Sequence, residues 1–308
     1  MSLSHREERR GDRLLDVLTD DEAGLRLIIS RVGAELISVA RRDSAGEWRG
    51  FLWRDNEITS PEKGWANHAT VMGYYLHRIK NERTVYRGHE IRGGTHSFLR
   101  HKTWHLHQVA PNAVTYRITP EDYERLEYPL RVSLDLTYTV HGDTIRVQFA
   151  FMNHEDEPTH VEFGLHPGFA ATTFDSFRLE MPAGVYRRWF SPDNFLSGET
   201  EDLRFGGGEM PFDRARLPGS YILEFVDVPD RRFTFIDPPG NRTIVVDLAE
   251  APYVTLWSDG NPFLCFEPCW GLTDSHEQRK FEEKLGIQQI SAGGTLMRSF
   301  TIAPRLTT

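Results

Sequence analysis

The 308-residue chain is poor in several things, and each shortage closes a route. Its two cysteines, Cys265 and Cys269, are too few for the disulfide framework of a small secreted scaffold. No run approaches the roughly 18 apolar residues that span a bilayer, so no membrane partner is expected. Met1 to Arg13 is charged and lacks the apolar centre of a signal peptide, which points to a cytoplasmic location. Positive charge is in deficit: 36 Lys and Arg stand against 45 Asp and Glu, a net charge of −9. Proteins that grip nucleic-acid phosphates usually carry the opposite balance, so no nucleic-acid partner is expected either. Helical periodicity is scarce. It is confined to residues 11–18 and to a predicted helix from Ser275 to Leu285, where Ser275 and Gln278 hold capping positions. Also missing are a GxSxG elbow, a GxxxxGK[ST] phosphate loop and a GxGxxG opening a helix.

What remains is alternation. Residues 24–40, 113–119, 131–140, 144–152, 159–166, 231–236, 242–248, 253–257 and 262–267 run apolar and polar by turns or as short apolar stretches. Polar, Gly- or Pro-containing turns such as His141-Gly142-Asp143 and Asp237-Pro238-Pro239-Gly240-Asn241 separate several of them. Short strands at this spacing predict an all-β fold, a large antiparallel β-sandwich with few short helices. No Pro/Gly/Ser linker divides the chain. Residues 21–308 read as a single domain, and residues 1–20 as an N-terminal extension with little order of its own. The expected assembly is a monomer or a homodimer.

Aromatic residues reach 12%, with seven Trp, and there are 13 His. Such side chains suit a sandwich core, and they equally suit stacking on sugar rings. Three segments concentrate them with polar groups. The first, Gly73 to Trp104, carries Arg78, His96 and Arg100 as hydrogen-bond donors, with Gly93 and Gly94 just before His96. In the second, Val161 to Phe169, strand alternation puts Val161, Phe163 and Leu165 on one face. Glu162, Gly164 and His166 fall on the other, and Pro167 is expected to end the strand. The third, Asn261 to Leu272, embeds Glu267 in an apolar strand, sharing a face with Phe263 and Cys265. A carboxylate there is desolvated, which raises its pKa toward that of a working base. His105-x-His107 lacks a third metal ligand, and Cys265-x3-Cys269 departs from zinc spacing, so no metal or other cofactor is expected.

Taken together, these segments resemble the aldose 1-epimerase (mutarotase) family. The ordered match is Arg78-Ile79 with Asn81, Gly94-Thr95-His96-Ser97-Phe98, Gly164-Leu165-His166-Pro167 and Phe266-Glu267-Pro268, and then Glu283-Lys284-Leu285-Gly286-Ile287. The last is typical of a branch with a Gly-Leu-His-Pro signature, and the likeness runs from about residue 22 to 302. It implies a galactose mutarotase-type sandwich, a sugar held in a cleft across one sheet, and no cofactor. It also implies Glu267 as the base that takes the anomeric proton, His166 as the acid that protonates the ring oxygen, His96 as a donor near that oxygen and Arg78 as a sugar-binding residue. Two positions depart from the pattern: His96-Ser97 stands for His-Gly, and His77-Arg78 for Asn-Arg. An Asp that would hold sugar hydroxyls falls in no clear motif, with Asp213 and Asp247 as candidates.

The partner expected is thus a small sugar, an aldose, with a phosphorylated aldose as the alternative. Arg78, Arg92, Arg100 and Lys102 would then clamp the phosphate, a reading that gains if Arg92 and Arg100 converge on the cleft. A non-catalytic carbohydrate-binding sandwich is the rival from another class. A glycoside hydrolase fits less well, because hydrolysis normally uses two carboxylates. The enzyme reading expects His166 and Glu267 to face one another across a cavity as wide as a sugar ring, lined by Trp257, Trp270 and Phe169.

Overall fold

The computed structural model describes residues 3–211, 213–277 and 279–307. Alternation along the chain becomes two large sheets laid face to face. In Val132–His141 the five apolar side chains Val132, Leu134, Leu136, Tyr138 and Val140 are buried, and the residues between them are partly exposed. This strand pairs with Thr144–Asn153, which pairs in turn with Thr295–Leu306, at the heart of a nine-stranded sheet. The second sheet has eight strands. Thr159–Ala170 and Phe263–Trp270 lie at its centre, flanked by Ala69–Tyr74 and Tyr253–Trp257. Every ladder within both sheets is antiparallel, as expected of a sandwich assembled from consecutive turns.

Aromatic rings fill the space between the sheets. Phe151 meets Phe163 at 4.6 Å, Phe163 stacks on Trp270 at 5.1 Å and 12°, and Phe233 meets Phe266 at 5.2 Å. Phe163 and Leu165 therefore point to the core, and Glu162, Gly164 and His166 to the opposite face of the eight-stranded sheet. No α-helix occurs among the described residues, and no helix there is long and apolar enough to cross a membrane.

Three expectations are corrected. Residues 4–20 are not a loose extension. Ser4–Arg10 and Arg13–Asp20 open a five-stranded antiparallel meander with Leu25–Ser30, Glu35–Arg42 and Trp48–Gly50. Leu15, Asp16, Val17 and Leu18 are all buried. A strand covered on both faces does not alternate, so its apolar cluster imitates helical spacing. Asp16 ties the meander down through Arg31 at 3.0 Å and the Tyr116 hydroxyl at 2.9 Å. The Ser275–Leu285 helix is likewise absent, leaving one short turn at Phe281–Glu283; Gln278 lies outside the described residues. Finally, the strand begun at Thr159 continues through Pro167 to Ala170.

Candidate active site

The two prolines of the Gly-Leu-His-Pro and Phe-Glu-Pro motifs shape the centre of the sheet. Gly164 pairs with Cys269 and Gly168 with Cys265, and in that register His166 stands opposite Glu267. Between those pairs the ladder lapses over residues 165–167 and 266–268. Pro167 and Pro268 have no N–H to donate, so neither can complete it. The outer neighbours stay paired, His166 with Thr70 and Glu267 with Thr255. Gly164 is glycine for a steric reason: a Cβ there would run into the Pro268 carbonyl.

His166 Nε2 lies 3.2 Å from Glu267 Oε1, with both side chains almost wholly buried. Burial pushes the Glu267 carboxyl well above its ordinary pKa. Burial also pulls His166 down to about 3, with the nearby His77 and Arg100 adding to the shift. Both shifts favour the neutral form of the pair, a protonated carboxyl against a neutral imidazole, because a desolvated site opposes separated charge. Glu267 Oε2 and His166 Nδ1 have no hydrogen-bond partner, nor has the buried hydroxyl of Ser191.

Glu267, His166 and Ser191 line one cavity of about 360 Å³ together with His77, Arg78, His96, Arg100 and Trp257. The His77 N–H donates to His96 Nδ1 at 3.1 Å, and the His96 N–H donates to the His77 carbonyl at 2.7 Å. His96 Nδ1 thus carries no proton, and Nε2 is left as a donor. Burial holds both imidazoles neutral, with His77 at about 3. Both residues take left-handed backbone, φ 52° and 61°, which costs about 1–2 kcal/mol each and marks a shape imposed by the surroundings. Among the described residues no carboxylate forms an ion pair with Arg78 or Arg100; Arg100 donates to His101 Nε2 at 3.1 Å. Trp65 stacks on the His166 ring at 4.9 Å, and Trp257 meets it edge-on at 5.9 Å.

The structure thus brings together six of the residues singled out in the sequence: Glu267, His166, His96, Arg78, Arg100 and Trp257. Asp213 is not among them. It is exposed, accepts from the Ala215 N–H at 3.0 Å and caps the Arg214–Gly219 turn. Asp247 sits elsewhere, accepting from the Ala249 N–H. Arg92 pairs with Glu90 and Lys102 with Glu127, so of the four cations only Arg78 and Arg100 reach the cavity. Trp270 and Phe169 belong to the core instead. The expected ring-wide gap between His166 and Glu267 is also wrong. The anomeric hydroxyl and the ring oxygen are both bonded to C1, so an acid and a base serving them belong side by side. Trp65, Ser191 and His77 also line the cavity, and no motif in the sequence marks them as doing so. Trp65 follows Pro61-Glu62-Lys63-Gly64 in a loop, where only a bulky ring beside charged residues and glycine signals it.

One set of metal-capable atoms occurs among the described residues: one from each of His77, Glu267 and Cys269, all within 4.8 Å of one another. Burial keeps the Cys269 thiol protonated, well above its ordinary pKa.

Residues 16–282 match the family described as Aldose 1-epimerase. Among curated proteins, the plasmid-encoded Protein LacX of Lactococcus lactis subsp. lactis is 26% identical over 291 residues, covering 88% of this chain and 93% of that one. Among solved structures, a galactose mutarotase related enzyme from Lactobacillus acidophilus superposes with a TM-score of 0.83 at 21% identity, over 99% of this chain and 98% of that one. The galactose 1-epimerase of Lactobacillus acidophilus NCFM gives 0.69 at 12% identity, with 100% of both chains covered.

Proposed function

Because the chain belongs to the aldose 1-epimerase family, we propose that it interconverts the α and β anomers of an aldose, with Glu267 as base and His166 as acid. The observation that carries this reading is the 3.2 Å contact between the two in the wall of an open cavity. A proton shift from the Glu267 carboxyl to His166 turns the neutral pair into carboxylate and imidazolium without changing its proton count. Glu267 then accepts the proton of the anomeric hydroxyl, and His166 gives its own to the ring oxygen. The C1–O5 bond breaks as the C1 carbonyl forms. Rotation about C1–C2 and the reverse transfers close the ring on the other face. Ring opening leaves Glu267 protonated and His166 neutral, the state that burial favours in the empty site. His96 Nε2 and the Arg78 guanidinium supply donors for sugar oxygens, and Trp257 and Trp65 supply apolar faces.

A second reading has its own observation. Arg78 and Arg100 line the cavity with no ion-paired carboxylate among the described residues, which favours a substrate bearing an anionic group, such as a phosphorylated aldose. A purely carbohydrate-binding module has no use for a buried, shared-proton pair.

The test is a panel of free and phosphorylated aldoses followed by polarimetry or saturation-transfer NMR. At least one sugar interconverts faster with the wild type than in buffer, and Glu267→Gln slows it about 10²–10⁴-fold, the usual worth of a positioned acid–base group. An unchanged rate in the variant removes Glu267 from its role. No acceleration with any sugar removes the activity itself.

A further inference from the structure

The Glu-Lys-Leu-Gly segment near the C-terminus lies outside the cavity, yet its lysine is among the most enclosed charges in the molecule. The Lys284 side chain is 2% exposed. Lysine is almost never buried this deeply unless it is paired. Its Nζ lies 3.4 Å from Glu162 Oε2 and 3.9 Å from Asp274 Oδ1, and it donates to the Leu272 carbonyl at 3.3 Å. Both carboxylates are themselves buried, at 0% and 3% exposure.

The same two carboxylates also hold backbone on either side of the cavity-lining turn. Glu162 Oε2 accepts from the Leu76 N–H at 3.1 Å, and Asp274 Oδ2 accepts from the Lys80 N–H at 3.0 Å. The residues between those two amides are His77, Arg78 and Ile79. The Arg78 carbonyl is held as well, by the Asp274 N–H at 3.0 Å and the Thr273 hydroxyl at 3.4 Å. Glu162 also reaches the Leu272 N–H at 3.4 Å. Gly271 leaves room for it, since a Cβ there would stand 2.6 Å from Glu162 Cγ. A buried charge triad of this kind adds little net stability over apolar packing, so its value lies in fixing one geometry.

We propose that Lys284 is a positioning residue, which bridges Glu162 and Asp274 so that they clamp the His77–Arg78 turn in its left-handed, cavity-lining shape. Without the ammonium the two carboxylates repel, one of them takes up a proton, and the turn loses a fixed acceptor at one end. Arg78 then wanders from the sugar, while Glu267 and His166, which touch none of the three, stay in place.

The kinetic arm of the test rests on the epimerase reading; the exchange arm does not. In the wild type, the amides of Leu76 and Lys80 exchange slowly with solvent. In Lys284→Met they exchange at least about tenfold faster, while those of Val132–His141 keep their protection. With the sugar the wild type turns over, Lys284→Met raises KM and lowers kcat/KM by up to about 10²-fold, the cost of an ångström-scale misplacement, with kcat within a few fold. Adding Glu162→Gln restores KM, because glutamine still accepts from Leu76 and carries no charge. Should Lys284→Met fail to fold, Lys284→Gln, which also removes the ammonium, carries the same comparison. Unchanged exchange at Leu76 and Lys80 overturns the proposal. So does a fall in kcat with KM unmoved, or a loss of protection throughout the sheets. A wild type that turns over no aldose sinks the epimerase reading alone, and the exchange result still decides the role of Lys284.

Discussion

At the scale of single residues, His166 is surrounded by rings: Trp65 stacked, and His96 and Trp257 edge-on. That enclosure is what lowers its pKa to about 3. Two outcomes follow. Because His166 does not titrate near the usual histidine value of about 6.5, its ring signals by NMR stay unshifted as the pH falls through that value. A ring that titrates near 6.5 would mean a hydrated His166. Conversely, Trp65→Ala lets water reach the imidazole, which removes a desolvation that disfavours its charged form. The His166 pKa therefore moves up toward 6.5, as read from the ring signals by NMR. Glu267 was legible in the sequence as a carboxylate embedded in an apolar strand, and His166 as an imidazole that alternation sets on the face away from the core. Trp65 was not, because a loop residue has no period against which to stand out.

At the scale of strands, the site exists because two neighbours stop bonding for three residues on each side. Gly164 keeps that gap in register by letting the Pro268 carbonyl approach. Gly164→Ala forces the strands apart, an overpacking that costs about 1–3 kcal/mol. A lower melting temperature together with reduced exchange activity is the expected result; an unchanged melting temperature would show that the strands yield freely. Alternation revealed most strands but failed where both faces are covered. In Arg13–Asp20 the run Leu14-Leu15-Asp16-Val17-Leu18 carries no twofold signal. In the segment after Ser275 the apolar spacing belongs to tertiary ties instead, with Phe281 entering the core and Lys284 joining the charge triad.

At the scale of the whole molecule, the N-terminal meander is part of the fold. Fully burying each of Leu15, Val17 and Leu18 contributes about 1.5–3 kcal/mol, a sum comparable with the net stability of a typical protein, about 5–15 kcal/mol. Removing residues 1–20 also strips Arg31 and the Tyr116 hydroxyl of Asp16. The truncated chain should give no cooperative thermal transition by circular dichroism; a transition like that of the full chain would return these residues to the status of an appendage.

The Arg78 and Arg100 guanidiniums line the cavity of a chain whose net charge is −9. That contrast sets how substrates arrive. A neutral sugar diffuses in at a rate indifferent to ionic strength. A sugar phosphate is repelled by the acidic exterior from afar and captured by Arg78 and Arg100 only within about 10 Å, the screening length at 0.1 M salt. Moderate salt therefore hastens its encounter while weakening its hold, so the salt dependence of the bimolecular rate separates the two kinds of traveller.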